Sequence, residues 1–404
     1  MATVKQQLLL VALLVLVLLF ACGGGGSEDR SSSSSSMQLW GGSARLIGTA
    51  DDDAAAGRWW PPKGFHAVVD QQQKTAPAPP PGAGPPTTYT TIVEALTKGA
   101  GGRNQSDERY VILIKEGTYE ETFNITGNNI VLVGEGIGKT IITGNKSNAT
   151  GTGTVASATV GALGDGFVAY NLTIQNTAGP ANRQAVALRS NSSKSIVYKC
   201  RIEGYEDTLY AENGQQLYVE TEIAGTVDFV FGNARAVFDK CSLLVRSPPH
   251  GKHNVITAQS CNNRALDSGF VFQSCHVAAD EGHAENLKTV DTFLGRPHKD
   301  FSHVVFMGCD LGDVVNSTGW VPWKKDEVIE SVTRTVAYFE FRNYGPSAAS
   351  DTRRRVNWTG VHVLTEANVT VAEKYTADRF IGANQWVPAG IPYDRGLPPP
   401  PPAN

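Results

Sequence analysis

The chain has 404 residues, is 41 % hydrophobic and 18 % charged, and carries a formal net charge of −4. That length suits one large domain or two ordinary ones, and the apolar content is enough for a sizeable core. The small negative balance excludes a basic nucleic-acid binder and gives no bulk attraction to a polyanion, so any such substrate must be held by local groups.

Lys5 precedes an unbroken apolar run from Leu8 to Phe20, followed by Ala21, Cys22 and Gly23 to Gly26. A basic start, an apolar centre and small residues at the break predict a secretory signal peptide over residues 1–22. The run is short for a transmembrane helix, although a membrane anchor is the alternative. Nine Asn-x-Ser/Thr triplets, from Asn104 to Asn368, suit a secreted, glycosylated chain.

Residues 23–62 are rich in Gly, Ser, Ala and Asp, with Ser31 to Ser36 consecutive, and are expected to be a linker. A domain over 63–397 follows, carrying a Gln-, Ala- and Pro-rich insertion at 71–86 that is expected to be extended. Thr91-Ile92-Val93-Glu94 offers a capping box for a short helix through Leu96. The Pro-rich stretch at 398–404 is expected to be an unstructured tail.

From Val111 onward the chain is a series of short apolar runs. They are Val111–Ile114, Ile130–Val133, Phe167–Ile174, Ala185–Leu188, Ile196–Tyr198, Thr226–Phe231 and Val304–Met307. Most are bounded by Gly, Asn, Asp or Ser, and long amphipathic helix patterns are absent, so the domain is all-β. A short signature recurs six times: an apolar residue, two spacers, a small or polar residue, one spacer, then usually an apolar residue. It runs from Val168-x-x-Asn171-x-Thr173 through Val197-x-x-Cys200-x-Ile202, Tyr218-x-x-Thr221-x-Ile223, Phe238-x-x-Cys241-x-Leu243 and Phe272-x-x-Cys275-x-Val277 to Phe306-x-x-Cys309-x-Leu311. Units start roughly 20 to 35 residues apart, a spacing suited to solenoid coils. Coils of that size without helices predict a right-handed, single-stranded parallel β-helix, with Cys and Asn stacked inside. A β-sandwich is the alternative, but it has no need of one signature at every coil.

Cys200, Cys241, Cys275 and Cys309 occupy one position of this repeat, Cys261 lies in a loop, and Cys22 leaves with the signal. The five that remain leave at least one unpaired unless it bonds between molecules. No Cys-x-x-Cys or His cluster indicates zinc.

Three segments are unlike plain solenoid strand: Gln184–Leu188, Gly204–Tyr210 and Gly225–Asn233. Asp228 stands within a strongly apolar run, where an unpaired carboxylate is costly and needs a partner or a raised pKa. Asp207 falls one coil earlier. Adjacent coils lie one strand spacing apart, so the two carboxylates are expected side by side, sharing a proton and dividing into an acid and a base or nucleophile. In Leu294-Gly295-Arg296-Pro297 the Gly and Pro fix a turn around Arg296, whose guanidinium beside Asp228 would keep that carboxylate ionised.

Gly117-x-Tyr119-x-Glu121, Gln184–Leu188, Gly204–Tyr210, Gly225–Asn233 and Leu294–Pro297, in this order and spacing, resemble the signature motifs of plant pectinesterases. Gly319-Trp320-Val321-Pro322-Trp323, Arg355-Val356-Asn357-Trp358 and Gly382–Trp386 extend the resemblance, which covers about residues 63–397. It implies a β-helix of the pectin lyase-like kind that hydrolyses methyl esters of homogalacturonan without metal or cofactor. It further implies Asp228 as nucleophile, Asp207 as general acid and then base, and Gln184 as oxyanion donor. Arg296 would bind substrate and orient the nucleophile, and Thr154 would contact substrate. Cys241 and Cys275 keep a pair that the family joins by a disulfide. The implied partners are esterified pectin and a proteinaceous pectinesterase inhibitor, with no nucleic acid, and the implied state is a monomer in the cell wall.

Two departures stand in the site. The family has Gln where this chain has Glu206, and an ionised Glu accepts hydrogen bonds but donates none, so a slower enzyme with an acid-shifted optimum is expected. The family has Trp where this chain has His298, which removes a sugar-stacking face. Thr221 stands where the family often has a partner for Cys200. A pectin-binding protein of little activity is therefore a rival reading, and a polysaccharide lyase or polygalacturonase another, although no calcium-type carboxylate cluster supports a lyase.

Overall fold

Short apolar runs broken by turn residues make the chain change direction every few residues, and each change passes it to a different sheet. The computed structural model describes residues 60, 62, 64–72, 85–101, 108–324, 330–349 and 352–401. The expected signal peptide, nearly all of the linker and most of the 71–86 insertion lie outside the described residues. Among these, twelve strands form one parallel sheet, eight a second and seven a third. From Tyr110 the chain visits them in rotation: Tyr110–Ile114 in the first, Gly117–Glu120 in the second, Phe123–Ile125 in the third, then Ile130–Gly134 in the first again. The result is a right-handed parallel β-helix, the hand taken by connections between parallel strands.

The sheet-to-sheet turn explains the repeated signature. Lys199, Glu220, Lys240 and Ser274 each precede the repeat's small residue and hold positive φ, between 45° and 54°. One left-handed residue swings the chain from the first sheet to the second, so the residues two before and one after it both face inward. In this register Tyr218, Phe238, Phe272 and Phe306 stack with ring centroids 4.6, 4.5 and 4.6 Å apart, close to the spacing of paired strands. Each buried ring contributes about 1.5–3 kcal/mol by leaving water, and truncating one to Ala costs roughly 3–5 kcal/mol.

The first unit of the repeat is misplaced by one residue in the sequence reading. Ile174 pairs with Ile202, and Ala169 pairs with Val197. Leu172 therefore holds the place taken by Cys200 one coil later. Asn171, expected inside, is the half-buried left-handed turn residue, φ 59°. It divides the Phe167–Ile174 run into two strands, Val168–Tyr170 and Thr173–Asn176.

The expected Cys241–Cys275 disulfide is not formed. Both thiols are free and buried, and each donates to main-chain oxygens: Cys241 to Tyr218 and Asp239, both at 3.5 Å, and Cys275 to Phe238 and Gln273 at 3.2 and 3.4 Å. The inward ladder position gives each sulfur a carbonyl of its own strand and one of the preceding coil. Burial pushes the Cys200 thiol up to about 12 and Cys275 well above its usual value, which leaves both inert.

The Gly117-x-Tyr119-x-Glu121 motif closes the N-terminal end. The Glu121 carboxylate accepts from the main-chain nitrogens of Ile92 and Val93, both at 2.9 Å, at the start of the helix Ile92–Glu94. Thr91 caps that helix by accepting from Glu94 N, while the Glu94 side chain turns to Lys98 and Thr90 rather than back to the cap. At the other end the first residue of the expected loose tail is docked, and residues 402–404 lie outside the described residues. Pro398 lies against Gly308, and its carbonyl accepts from Arg342 at 2.6 Å.

Candidate active site

The site forms where successive coils leave the second sheet. Strand Arg201–Glu203 ends in the turn 204–208, and strand Glu222–Gly225 one coil later ends in the turn 226–229. Thr208, fully buried, closes the first turn by donating to the carbonyls of Tyr205 and Ala224 at 3.0 and 3.1 Å. Gly225 lacks a side chain because a Cβ there would stand 2.8 Å from the Tyr205 carbonyl oxygen and 2.3 Å from Phe229 Cβ. The turns therefore stack closely, with Asp207 N donating to Val227 O at 3.0 Å.

Leu209 pairs with Val230, so Asp207 and Asp228, each two residues earlier, hold equivalent places on adjacent coils. Both adopt left-handed backbone, φ 64° and 52°. Aspartate tolerates that region better than most residues, at some local cost. Asp228 is thus not inside a strand, as its apolar neighbours suggest, but at the tip of a sharp turn. Asp207 and Asp228 are only 8 % and 5 % exposed.

Their surroundings differ. Arg296, just past the third-sheet strand Thr292–Gly295, forms a bidentate ion pair with the Asp228 carboxylate. Asp207 has no such partner. Burial, then the negative charges of Asp228 and Glu206, push its carboxyl well above the usual range, although Arg296 and Lys252 pull the other way. Asp207 therefore holds a proton under conditions where an ordinary aspartate has lost it.

Gln184 donates from Nε2 to Glu206 Oε1 at 2.7 Å and accepts at Oε1 from Asn148 Nδ2 at 2.7 Å. The other Glu206 oxygen accepts from Lys252 Nζ at 3.1 Å. The repulsion expected from a third carboxylate is thus offset by a lysine that the sequence reading did not select. His298 packs against Trp323 with ring centroids 4.6 Å apart and the planes tilted by 34°, and the Trp323 ring also lies 4.2 Å under the Arg296 guanidinium. Burial is the main cause that lowers the His298 pKa below its ordinary value, which favours the neutral ring.

Thr154, Gln184, Glu206, Asp207, Asp228, Arg296 and His298, the selected residues, all line one cleft of about 390 Å³. The sequence reading did not select Asn148, Val155, Tyr210, Phe231 and Trp323 on its walls. Tyr210 and Phe231 stack at 4.3 Å on adjacent coils and form a flat apolar wall. Trp323 had a signal in its tail motif. Lys252 had none, since it stands in an irregular loop. Among the described residues no group of three or more His, Cys, Asp or Glu is placed to hold a metal ion.

Chemically, one carboxylate is oriented by a guanidinium, a protonated carboxyl sits one coil away, and an amide donor faces the same cleft. Fold and site together define a class: a parallel β-helix protein whose cleft is built on two aspartates and an arginine. The chain belongs to the pectinesterase family, whose model, Pectinesterase, matches residues 83–384. A putative pectinesterase/pectinesterase inhibitor of Arabidopsis thaliana is 46 % identical over 302 residues, 74 % of this chain and 61 % of that protein. Pectinesterase 2 of Citrus sinensis is 44 % identical over 308 residues, 76 % of this chain and 58 % of that protein. The chain thus spans about three fifths of the length of these curated relatives. Pectin methylesterase from carrot superposes with a TM-score of 0.74 at 36 % identity, covering 82 % of this chain and 97 % of that one.

Proposed function

We propose that this chain is a secreted esterase of the cell wall that removes methyl esters from homogalacturonan, releasing methanol and leaving pectate. The observation that carries this reading is the division of labour between equivalent aspartates: Asp228 is clamped by Arg296, and Asp207 is held protonated by burial and like charge. A binding surface needs neither arrangement. An Asp228 oxygen attacks the ester carbonyl carbon, and Gln184 donates to the oxyanion that develops. The carbonyl re-forms as the C–O bond to methoxide breaks, and methoxide takes the Asp207 proton and leaves as methanol. Asp207, now a carboxylate, takes a proton from water, whose oxygen attacks the acyl carbon. The bond to Asp228 breaks, which restores both aspartates and frees the acid.

The apolar wall of Tyr210, Phe231, Val155 and Trp323 suits the face of a sugar ring and its methyl ester. The sequons and the Lys5–Gly26 pattern support secretion. The chain acts as a monomer, and the names of its relatives support a proteinaceous inhibitor as a partner class.

The test is incubation of the secreted protein with highly methylated pectin. Methanol and new acid without chain shortening, both lost in Asp228→Asn, are expected. Shortened chains would point instead to a lyase or glycosidase, and binding without methanol to a protein that only holds pectin.

A further inference from the structure

Four side chains from separate turns form one hydrogen-bonded row along the cleft: Asn148, Gln184, Glu206 and Lys252. The row has a direction. Asn148 Nδ2 donates to Gln184 Oε1, so the Gln184 oxygen faces Asn148 and its nitrogen faces Glu206. Both Glu206 oxygens are acceptors here, one from Gln184 and the other from the Lys252 ammonium. A glutamine amide is nearly symmetric in shape, and only its partners decide which end is donor. Here the Glu206 end decides: it accepts on both oxygens, so Nε2 faces it and Oε1 is left to accept from Asn148 Nδ2. One Nε2 hydrogen is committed to Glu206, and the second is left for the substrate.

We propose that Lys252 and Asn148 are positioning residues for Gln184: together with Glu206 they lock its amide with the donor nitrogen on the catalytic side. Lys252 acts through Glu206. Its charge holds the half of the carboxylate that Gln184 does not use, and so ties down a side chain that is only 6 % exposed. Asn148 acts from the opposite end. Without the row, Gln184 is free to rotate and present its oxygen, which repels an oxyanion. The Glu206–Lys252 unit therefore replaces a neutral donor with an anchored acceptor, and on this proposal Glu206 need not make the enzyme slower.

This rests on the esterase reading, so the closing experiment separates the two. Methanol release by the unsubstituted chain tests that reading alone. The row is tested by kcat and KM of Lys252→Met, Glu206→Gln and the double variant, on methylated pectin and on p-nitrophenyl acetate, which reports even if pectin is ignored. Losing one oxyanion donor outright costs roughly 10²–10³ in rate, and loosening it should cost about tenfold. Lys252→Met is expected to lose about that factor in kcat with KM within about twofold, while Lys252→Arg retains the rate. Glu206→Gln should be slower than the parent, and adding Lys252→Met to it should cost nothing further. Asn148→Asp, which cannot donate, should lose kcat to a similar extent. An equal cost of Lys252→Met in both Glu206 backgrounds overturns the proposal. So does no cost, a loss confined to KM, or a chain inactive on both esters.

Discussion

Arg296 grips Asp228 through two hydrogen bonds at once, Nε to Oδ1 at 2.8 Å and Nη2 to Oδ2 at 2.6 Å. The same guanidinium lies 4.2 Å from the centroid of the Trp323 ring and donates to the Trp323 carbonyl at 3.2 Å. The planar fork aims the carboxylate and ties it to the cleft wall, a task lysine cannot copy. In Arg296→Lys the charge remains and the fork is lost. A small misplacement of a reacting group can cost about 10²-fold, so kcat should fall by about that factor while thermal unfolding changes little. Arg296→Ala is a different experiment, since it strands a buried carboxylate. Breaking such a pair costs about 3–5 kcal/mol, readable by urea unfolding. Should Arg296→Lys retain full kcat, the fork is not what orients Asp228.

Asp207 illustrates a site that sacrifices stability for chemistry. Its folded pKa lies well above the ordinary aspartate value, so between the two the folded chain holds a proton that the unfolded chain has lost. Stability is then undiminished below the unfolded pKa and falls as pH rises toward the folded one. Asp207→Asn removes the titration. Unfolding at pH 4 and pH 8 should show a variant that gains on the parent as pH rises, with methanol release reduced by at least about 10². A variant destabilised equally at both pH values would mean that the Asp207 charge carries no folding cost.

The solenoid was legible because its physics repeats. An inward residue, a left-handed turn and a small inward residue recur at each coil, and the Tyr218–Phe306 ladder makes the period visible. The first unit failed because Val168 and Ala169 are both apolar, so pattern alone did not say which faces inward. Asp228 was read as a strand residue for the same reason: Thr226–Phe231 is apolar throughout, and burial in a turn looks like burial in a strand. The cleft residues with fixed roles came from motifs that the turns require. Lys252 and Asn148 were invisible, because what selects them is contact between coils far apart in sequence. Asn148 was hidden a second way, since it reads as a sequon.

Trp323 is 38 % exposed, unusual for so large an apolar ring, and it touches both His298 and Arg296. It supplies the flat face that His298 does not. In Trp323→Ala the cleft loses a stacking surface and Arg296 loses its backing. Stacking of this kind is worth about 0.5–1.5 kcal/mol, so KM for pectin should rise about two- to tenfold. A smaller fall in kcat should accompany it. Trp323→Phe should recover most of KM. A KM unchanged in Trp323→Ala would place the sugar elsewhere in the cleft.

Asp239 offers a pH test remote from the chemistry. It lies on the outer face of the first sheet, fully buried under the C-terminal segment, in register with Gln273. Gln273 Nε2 donates to the carbonyls of Asp394 and Gly396, which leaves Gln273 Oε1 without a partner, and Asp239 Oδ1 lacks one too. One proton on Asp239 would serve both oxygens. Burial and then the Asp394 charge raise its pKa to about 7, with Lys240 opposing and Glu220 adding slightly. The unfolded value is about 3.9. Between those values the folded state binds the extra proton, so stability falls as pH rises from about 4 to about 7 and the loss is complete above. The shift of about three units sets a ceiling of about 4 kcal/mol. Asp239→Asn gives Gln273 Oε1 a permanent donor and removes the charge. Urea unfolding should show the variant level with the parent near pH 4 and more stable by up to about 3–4 kcal/mol at pH 8. The same difference at both pH values would show that Asp239 does not titrate with folding.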